Sequence, residues 1–339
     1  MITSLTVASL FNLSGSNEIL EDLAPLGAKT AREIKFHLES GIFLGDKISQ
    51  DGSMMFQTNV LRTPIISLID GKLMWEERMR IGITSNYKSW IVGTMSQWGH
   101  MSYGPELRDA ELADIESPVR WLGLGSFKKD KRQSRHEVIV ADIDTKSRKL
   151  PPNRQVVFSQ ANTFSNAAIS GFYGHFLPNG GIQCHVFSKT PSSGTSLDIW
   201  TIGKGANKAV QKSTKLAIKW TENSYATDYD PVHGRVIVKI EKPRRYLEYN
   251  IQTRTTSDIP NVPKNVGPHY WRGMMLQASG IGSSTPGYGL DIFSQDRKTV
   301  KHLGPYSWIA QSSNERFVLF KKETDETYWL VDFARPPGR

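Results

Sequence analysis

Two short patterns recur together along this chain, and that repetition constrains the fold more than any other feature of its 339 residues. The first is a polar turn leading into an alternating apolar run. It reads Ser49-Gln50-Asp51-Gly52-Ser53-Met54-Met55-Phe56, then Pro178-Asn179-Gly180-Gly181 followed by Ile182 to Phe187. It returns as Asp230-Pro231-Val232-His233-Gly234-Arg235 before Val236 to Ile240, and as Ser312-Ser313-Asn314-Glu315-Arg316 before Phe317 to Phe320. The second pattern follows a short distance on: Ile65 to Asp70, Asp198-Ile199-Trp200-Thr201-Ile202, Tyr246-Leu247-Glu248-Tyr249-Asn250, and Tyr328-Trp329-Leu330-Val331-Asp332. A hairpin plus a strand, repeated at roughly 40–60 residues, is the signature of a β-propeller. The expected class is therefore all-β, with six or seven blades of four antiparallel strands.

The turns supply the mechanism. Asp-Gly and Asn-Gly give the positive φ that tight hairpins need. Alternation then sends one face of each strand against a neighbouring blade, and a slip of one residue would expose that whole set. The best helical candidate is residues 17–40, with Asn17 as a cap, acidic residues behind it, and a second short helix from Thr30 to Leu38. Residues 4–13 alternate and suit a strand that closes the ring against the last blade. The expected organisation is an N-terminal closing strand with short helices over 1–40, the propeller over 41–333, and a disordered tail over 334–339.

A hydrophobic fraction of 38% provides for a large core, and a charged fraction of 22% argues against global disorder. The net charge of +9 favours an anionic partner, unless the excess is spread evenly and serves only solubility. Cys184 is the single cysteine, so an intrachain disulfide and a cysteine-based metal cluster are both excluded. It lies in an apolar run, as a buried inert thiol would. No stretch approaches the roughly 18 apolar residues of a membrane span. The N-terminus lacks a positive n-region and reads as a strand, with no clear signal peptide. Compartment is left open.

The repeating unit resembles the blade of TolB-like propellers, more loosely that of WD40-like ones. The residues that carry the resemblance are Tyr306-Ser307-Trp308 with Ser312 to Phe320 and Tyr328 to Asp332, and Pro178 to Phe187 with Asp198 to Ile202. The resemblance covers residues 41–333 and implies a binding scaffold, with lyases and hydrolases among the relatives.

Three histidines sit in aromatic, glycine-containing segments. They are His100 (Trp98 to Gly104), His175 (Phe172 to Phe176) and His269 (Pro268 to Arg272). Each would come from a different blade, and inner strands converge on one axis. Three neutral imidazoles meeting there would hold Mn, Zn or Ca. The competing reading makes each a core histidine bonded to a backbone carbonyl. The same segments offer Trp98, Tyr103, Tyr173, Tyr270 and Trp271 to stack on sugar rings, with Arg272 as a polar contact, or else to pack between blades. The densest basic run holds Lys128, Lys129, Lys131, Arg132 and Arg135, an anion-binding candidate or a solvated loop. A comb from Lys204 to Lys219 and the run Lys242-Pro243-Arg244-Arg245 are further basic segments. No serine-hydrolase elbow, zinc-peptidase pair or complete P-loop is present in the sequence.

Three readings follow. The leading one is a non-enzymatic scaffold that binds a protein or glycan partner through one face, with no resident cofactor. The second is a metal-dependent polysaccharide lyase or glycoside hydrolase with an axial, histidine-lined pocket. The third is association of the basic loops with nucleic acid or another acidic polymer.

Overall fold

The computed structural model describes residues 18–37, 47–56, 65–73, 107–117, 120–128, 133–142, 155–163, 168–190, 194–204, 210–216, 224–262, 267–279 and 289–334. A short helical segment over residues 18–26 leads into strand β1 (Ala28–Ile34). Four four-stranded antiparallel sheets follow in chain order. The first holds β5 (Leu107–Ser117), β6 (Arg120–Lys128), β7 (Gln133–Asp142) and β8 (Gln155–Thr163). The second holds β9 (Ala168–Phe176), β10 (Ile182–Thr190), β11 (Gly194–Ile202) and β12 (Val210–Leu216). The third holds β13 (Ser224–Asp230), β14 (Arg235–Glu241), β15 (Arg244–Asn250) and β16 (Thr255–Ile259). The fourth holds β17 (His269–Trp271), β18 (Met274–Ser279), β19 (Gly289–Phe293) and β20 (Thr299–Leu303).

The remaining described strands form one seven-stranded sheet. It joins β21 (Tyr306–Ser312), β22 (Phe317–Lys322) and β23 (Thr327–Phe333) to β2 (Lys47–Ile48), β3 (Met54–Phe56) and β4 (Ile65–Ser67). The join is a two-residue parallel pairing, Lys47 with Gln311 and Ile48 with Ser312. Antiparallel pairing resumes on either side of it. Two meanders have thus come close enough at their first strands to share a ladder.

First strands of successive sheets lie side by side throughout. β5 lies beside β9, β9 beside β13, β13 beside β17, and β2 beside both β21 and β5. From β17 to β21 the link is a hydrogen bond from the Gln311 amide to the Tyr270 carbonyl. Meander sheets arranged around their first strands form a β-propeller.

The ring closes on the N-terminal side of the chain. β1 pairs antiparallel with β23, from Ala28 opposite Phe333 to Ile34 opposite Tyr328. The segment from Thr30 to Leu38 that reads as a helix is, over residues 30–34, this strand. Its outer position explains the polar pattern that suggests a helix: Lys29, Thr30 and Arg32 to Glu33 need satisfy only one neighbouring strand. Residues 4–13, the expected closing strand, lie outside the described residues, as does the tail over 335–339. Ile19 and Leu23 are buried in one cluster with Trp271, Tyr306 and Phe333. Lys301 of β20 reaches Asp22 at 2.8 Å, and Lys322 of β22 reaches Glu18 at 2.8 Å. The helical segment therefore clamps the fourth sheet to the last.

Two copies of the polar turn share one construction, while in the other two Asn179 and Asp230 accept turn N–H groups. Ser49 Oγ donates to Asp51 and accepts from the Met54 N–H; Ser312 Oγ donates to Asn314 and accepts from the Phe317 N–H. Between them stands a positive-φ residue, Gly52 in one copy and Glu315 in the other. Gly52 carries a second constraint, because a Cβ there would lie 2.7 Å from the Phe317 ring of the adjacent meander.

Leu23→Ala removes a fully buried side chain from the clamp and is expected to lower stability by about 2–5 kcal/mol in urea unfolding. Ile69→Ala, at a position 74% exposed, is expected to stay within about 0.5 kcal/mol of the parent.

Candidate functional site

Side chains on the first strands point into the clefts between sheets, and the richest cleft lies between the third and fourth sheets. Asp228 on β13 accepts the Tyr229 N–H at 2.8 Å and the Tyr270 N–H at 2.6 Å. The Tyr270 hydroxyl donates to one oxygen of Glu248 at 2.6 Å, and Arg297 donates to the other at 2.6 Å. Buried Arg235 donates to Asp230 at 2.9 Å and to the Gly273 carbonyl, with its guanidinium 4.9 Å from the Tyr270 ring centroid. His233 Nδ1 lies 2.8 Å from the same Asp230 carboxylate. Burial works to raise the Asp230 pKa. The hydrogen bonds from Arg235 and His233 outweigh it and hold the carboxyl below its ordinary range. Burial, with Glu248 adding to it, drives the Tyr270 phenol far up, so it keeps the proton that it donates to Glu248.

His269 opens β17 at the edge of this cleft. Its ring lies against Trp308 of β21, with centroids 4.4 Å apart, and Nδ1 stands 3.6 Å from Asp228. The side chain is 32% exposed, against 10% for Asp228. An imidazole with one nitrogen near a carboxylate and partial access to solvent can take up and pass on a proton. Asp228, Asp230, His233, Arg235, Glu248, Arg297 and Trp308 belong to this cleft and are missed as site residues in the sequence. No local motif announces Asp228, Glu248 and Trp308, because they have partners one sheet away in the chain.

His175 belongs to a different cleft. Its ring stacks on His185 with centroids 6.0 Å apart, and His185 meets Tyr229 edge-on at 4.9 Å. Tyr173 packs there too, edge-on to Phe187 at 5.9 Å. His185 is 2% exposed, and burial, reinforced by His175, pushes its pKa down to about 3. His175 thus faces the cleft between the second and third sheets, whereas His269 stands between Asp228 of β13 and Trp308 of β21. His100, Trp98 and Tyr103 lie outside the described residues. Among the described residues no group of three or more His, Cys, Asp or Glu side chains is placed to hold a metal ion.

The other sequence candidates fall as follows. Tyr270 and Trp271 are 3% and 2% exposed, so their ring faces are taken by the interior. Trp271 packs edge-on to Phe333 at 4.7 Å and donates its indole N–H to the Glu315 carbonyl. Arg272, at φ 53°, donates to the carbonyls of Leu26, Glu315 and Ala334. Its guanidinium also lies over the rings of Trp271 and Phe333. Lys128 ends β6, and Arg135 lies in β7 opposite Phe127. Lys129, Lys131 and Arg132 lie outside the described residues. Cys184 is buried, and burial drives its thiol pKa up, as expected of an inert thiol.

No protein-family model matches the chain, and no curated protein matches its sequence. Among solved structures, the chain is similar to a gluconolactonase from Xanthomonas campestris, at 8% identity and TM-score 0.41, over 91% of each chain. It is similar to the β-propeller domain of the Trilobed protease from Pyrococcus furiosus, at 14% identity and TM-score 0.35, over 89% of this chain and 86% of the other. An oligogalacturonate lyase in complex with manganese matches at 9% identity and TM-score 0.33, over 86% and 88%. Identities this low with TM-scores under 0.5 assign no activity to this chain.

His185 carries a pH signature of known sign. Unfolded, it takes a proton below about 6.5; folded, it stays neutral down to about 3. The unfolded state therefore binds the extra proton between those values, and stability falls as pH falls through that window. The slope due to this group is expected at about 1.4 kcal/mol per pH unit, and His185→Phe is expected to flatten it in urea titrations at stepped pH.

Proposed function

We propose that this chain is a six-bladed propeller scaffold that holds a protein or glycan partner through one face and releases it unchanged. Among the described residues six first strands lie around the ring: β2, β5, β9, β13, β17 and β21. On this count β1 serves as the fourth strand of the last blade. The paired Ser-x-Asp and Ser-x-Asn turns support a TolB-like affiliation.

The observation that carries the scaffold reading is how Arg272 is used. A lyase acting on acidic sugar needs a cation at the axis to meet the carboxylate. Arg272, the cation beside the aromatic cluster, instead spans three backbone carbonyls from both ends of the described chain. Arg235 and Arg297 are likewise committed to Asp230 and Glu248. Charges in this region serve cohesion between sheets, and binding falls to the loops at the rim, where rigid scaffolds usually place it.

A second reading is favoured by the 3.6 Å approach of His269 to Asp228, a pair suited to proton transfer in an axial lyase or hydrolase. One experiment separates the two. Immobilised protein is exposed to acidic and neutral oligosaccharides and to a cell extract, and whatever is retained is eluted and sized. Retention of an intact partner is expected. Shortened sugars that disappear with His269→Ala would sink the scaffold reading in favour of the enzyme. Arg272→Ala is expected to lower the melting temperature by several degrees while leaving retention at permissive temperature unchanged.

A further inference from the structure

The formal charge of this chain is concentrated. Residues 204–245 hold ten Lys or Arg against four Asp or Glu, a net +6 of the whole chain's +9. Two of those four acids, Asp228 and Asp230, are buried, where they meet Arg235, His233 and backbone N–H groups. The outward charge of the segment is therefore almost wholly basic.

The fold brings Lys212, Lys215, Lys242, Arg244 and Arg245 toward one end of two adjacent sheets, while Lys204 and Arg235 lie toward the other. Lys242 lies in the turn between β14 and β15, and Arg244 and Arg245 open β15; all three are exposed. That turn is at the opposite end of its sheet from the 231–234 and 251–254 turns. Lys212 and Lys215 are exposed on β12, the outer strand of the second sheet. Leu216, next to Lys215, packs in one cluster with Ala226 and Val238 of the third sheet. Ala226 pairs with Val238 toward the same end as the Lys242 turn. The two basic sets therefore share a rim. The carboxylate there is Glu241, held by Lys239 at 2.6 Å and by the Tyr225 hydroxyl at 2.8 Å. Among the described residues no carboxylate is paired with Lys212, Lys215, Lys242 or Arg245.

One exposed aromatic stands within the array. Tyr225 is 36% exposed, more than any other described aromatic among the large exposed hydrophobics. Its hydroxyl accepts from Lys239 and donates to Glu241, so the ring is fixed in place. Across the ladder, Arg244 lies over Tyr246 with its guanidinium 5.8 Å from the ring centroid. A row of exposed cations with a fixed, exposed ring is the combination that tracks a phosphate backbone and stacks a base.

We propose that this rim binds single-stranded nucleic acid, the cations of β12 and the β14–β15 turn meeting phosphates and Tyr225 stacking on a base. The proposal rests on the scaffold reading above and adds nucleic acid to the protein or glycan partners proposed there.

The test is fluorescence anisotropy of a labelled 20-nucleotide oligothymidylate at stepped salt, with heparin as a glycan comparison. Binding is expected to weaken with salt. The double variant Lys242→Glu/Arg245→Glu is expected to lose at least about tenfold in affinity and to reduce the log–log salt slope by about 1.4, two contacts at about 0.7 each. Tyr225→Ala is expected to cost about five- to tenfold for the oligonucleotide with the salt slope unchanged. Lys298→Glu, an 83% exposed lysine in the β19–β20 turn at the other end of its sheet, serves as the control and is expected to change nothing. Unchanged melting temperatures establish that the variants are folded. Three results would overturn the proposal: no oligonucleotide binding, binding unaffected by the rim reversals, or heparin binding that matches the oligonucleotide with Tyr225→Ala silent. If the oligonucleotide fails while a protein or glycan is retained, the scaffold reading stands without this partner. If nothing is retained and sugars are cleaved, both readings fall together.

Discussion

Hydrogen bonds from one polar turn to the next hold this ring together. Arg235, just after the first turn of the third sheet, donates to the Gly273 carbonyl of the fourth. Trp271 and Arg272, at that turn, donate to the Glu315 carbonyl in the turn after β21. Asn314 of that turn donates to the Gln50 carbonyl, and Gln50 donates in return to Ser313 and across to the Phe176 carbonyl of β9. The apolar clusters lie between neighbouring sheets, but apolar packing alone is non-directional and permits sliding, so such links fix the register. The links to the Gly273, Glu315 and Gln50 carbonyls give turn acceptors a donor from elsewhere in the ring, so cohesion and satisfaction of polar groups are the same act.

The cleft networks follow from that arrangement. Once turns are locked in register, residues on neighbouring first strands sit at matching heights, and a side chain on one can meet the backbone of the next. Asp228 accepting the Tyr270 N–H is one instance and Gln311 donating to the Tyr270 carbonyl is another. Tyr270 thus has both backbone groups tied to adjacent sheets while its hydroxyl is tied to Glu248. The cost of burying Glu248, Arg235 and Asp230 is met by mutual pairing, and the pairing is specific to one mutual height of the sheets.

The middle strands stand out in the sequence, as does the outer strand β20, whereas the outer strands β1 and β16 do not, for a physical reason. Val236 to Val238 and Val318 to Phe320 are buried on both faces, so their apolar runs stand out. β16 reads Thr-Thr-Ser-Asp-Ile with four exposed residues, and β1 is similarly polar, because an outer strand has water on one side of its ladder. Spacing in the chain also misleads about which side chains meet. His175 and His269 stand on first strands two sheets apart, one against His185 and the other between Trp308 and Asp228, so they do not meet. The work of Arg272 was hidden for a related reason, since its carbonyl partners Leu26 and Ala334 are 246 and 62 residues away.

The pairing of β1 with β23 has a consequence for how the molecule is made. The Ala334 N–H donates to the Gly27 carbonyl, so the seam of the ring joins its earliest described strand to its latest. A chain emerging in order must hold residues 28–34 uncommitted while more than 290 residues pass, and only then can the last sheet gain its outer strand. That is a contact of nearly the longest sequence separation the fold contains, and loop closure of this kind is the slow part of building β structure. Until it forms, β23 presents an open ladder edge, and the interval before closure is the period when the protein is most exposed to pairing with the wrong strand.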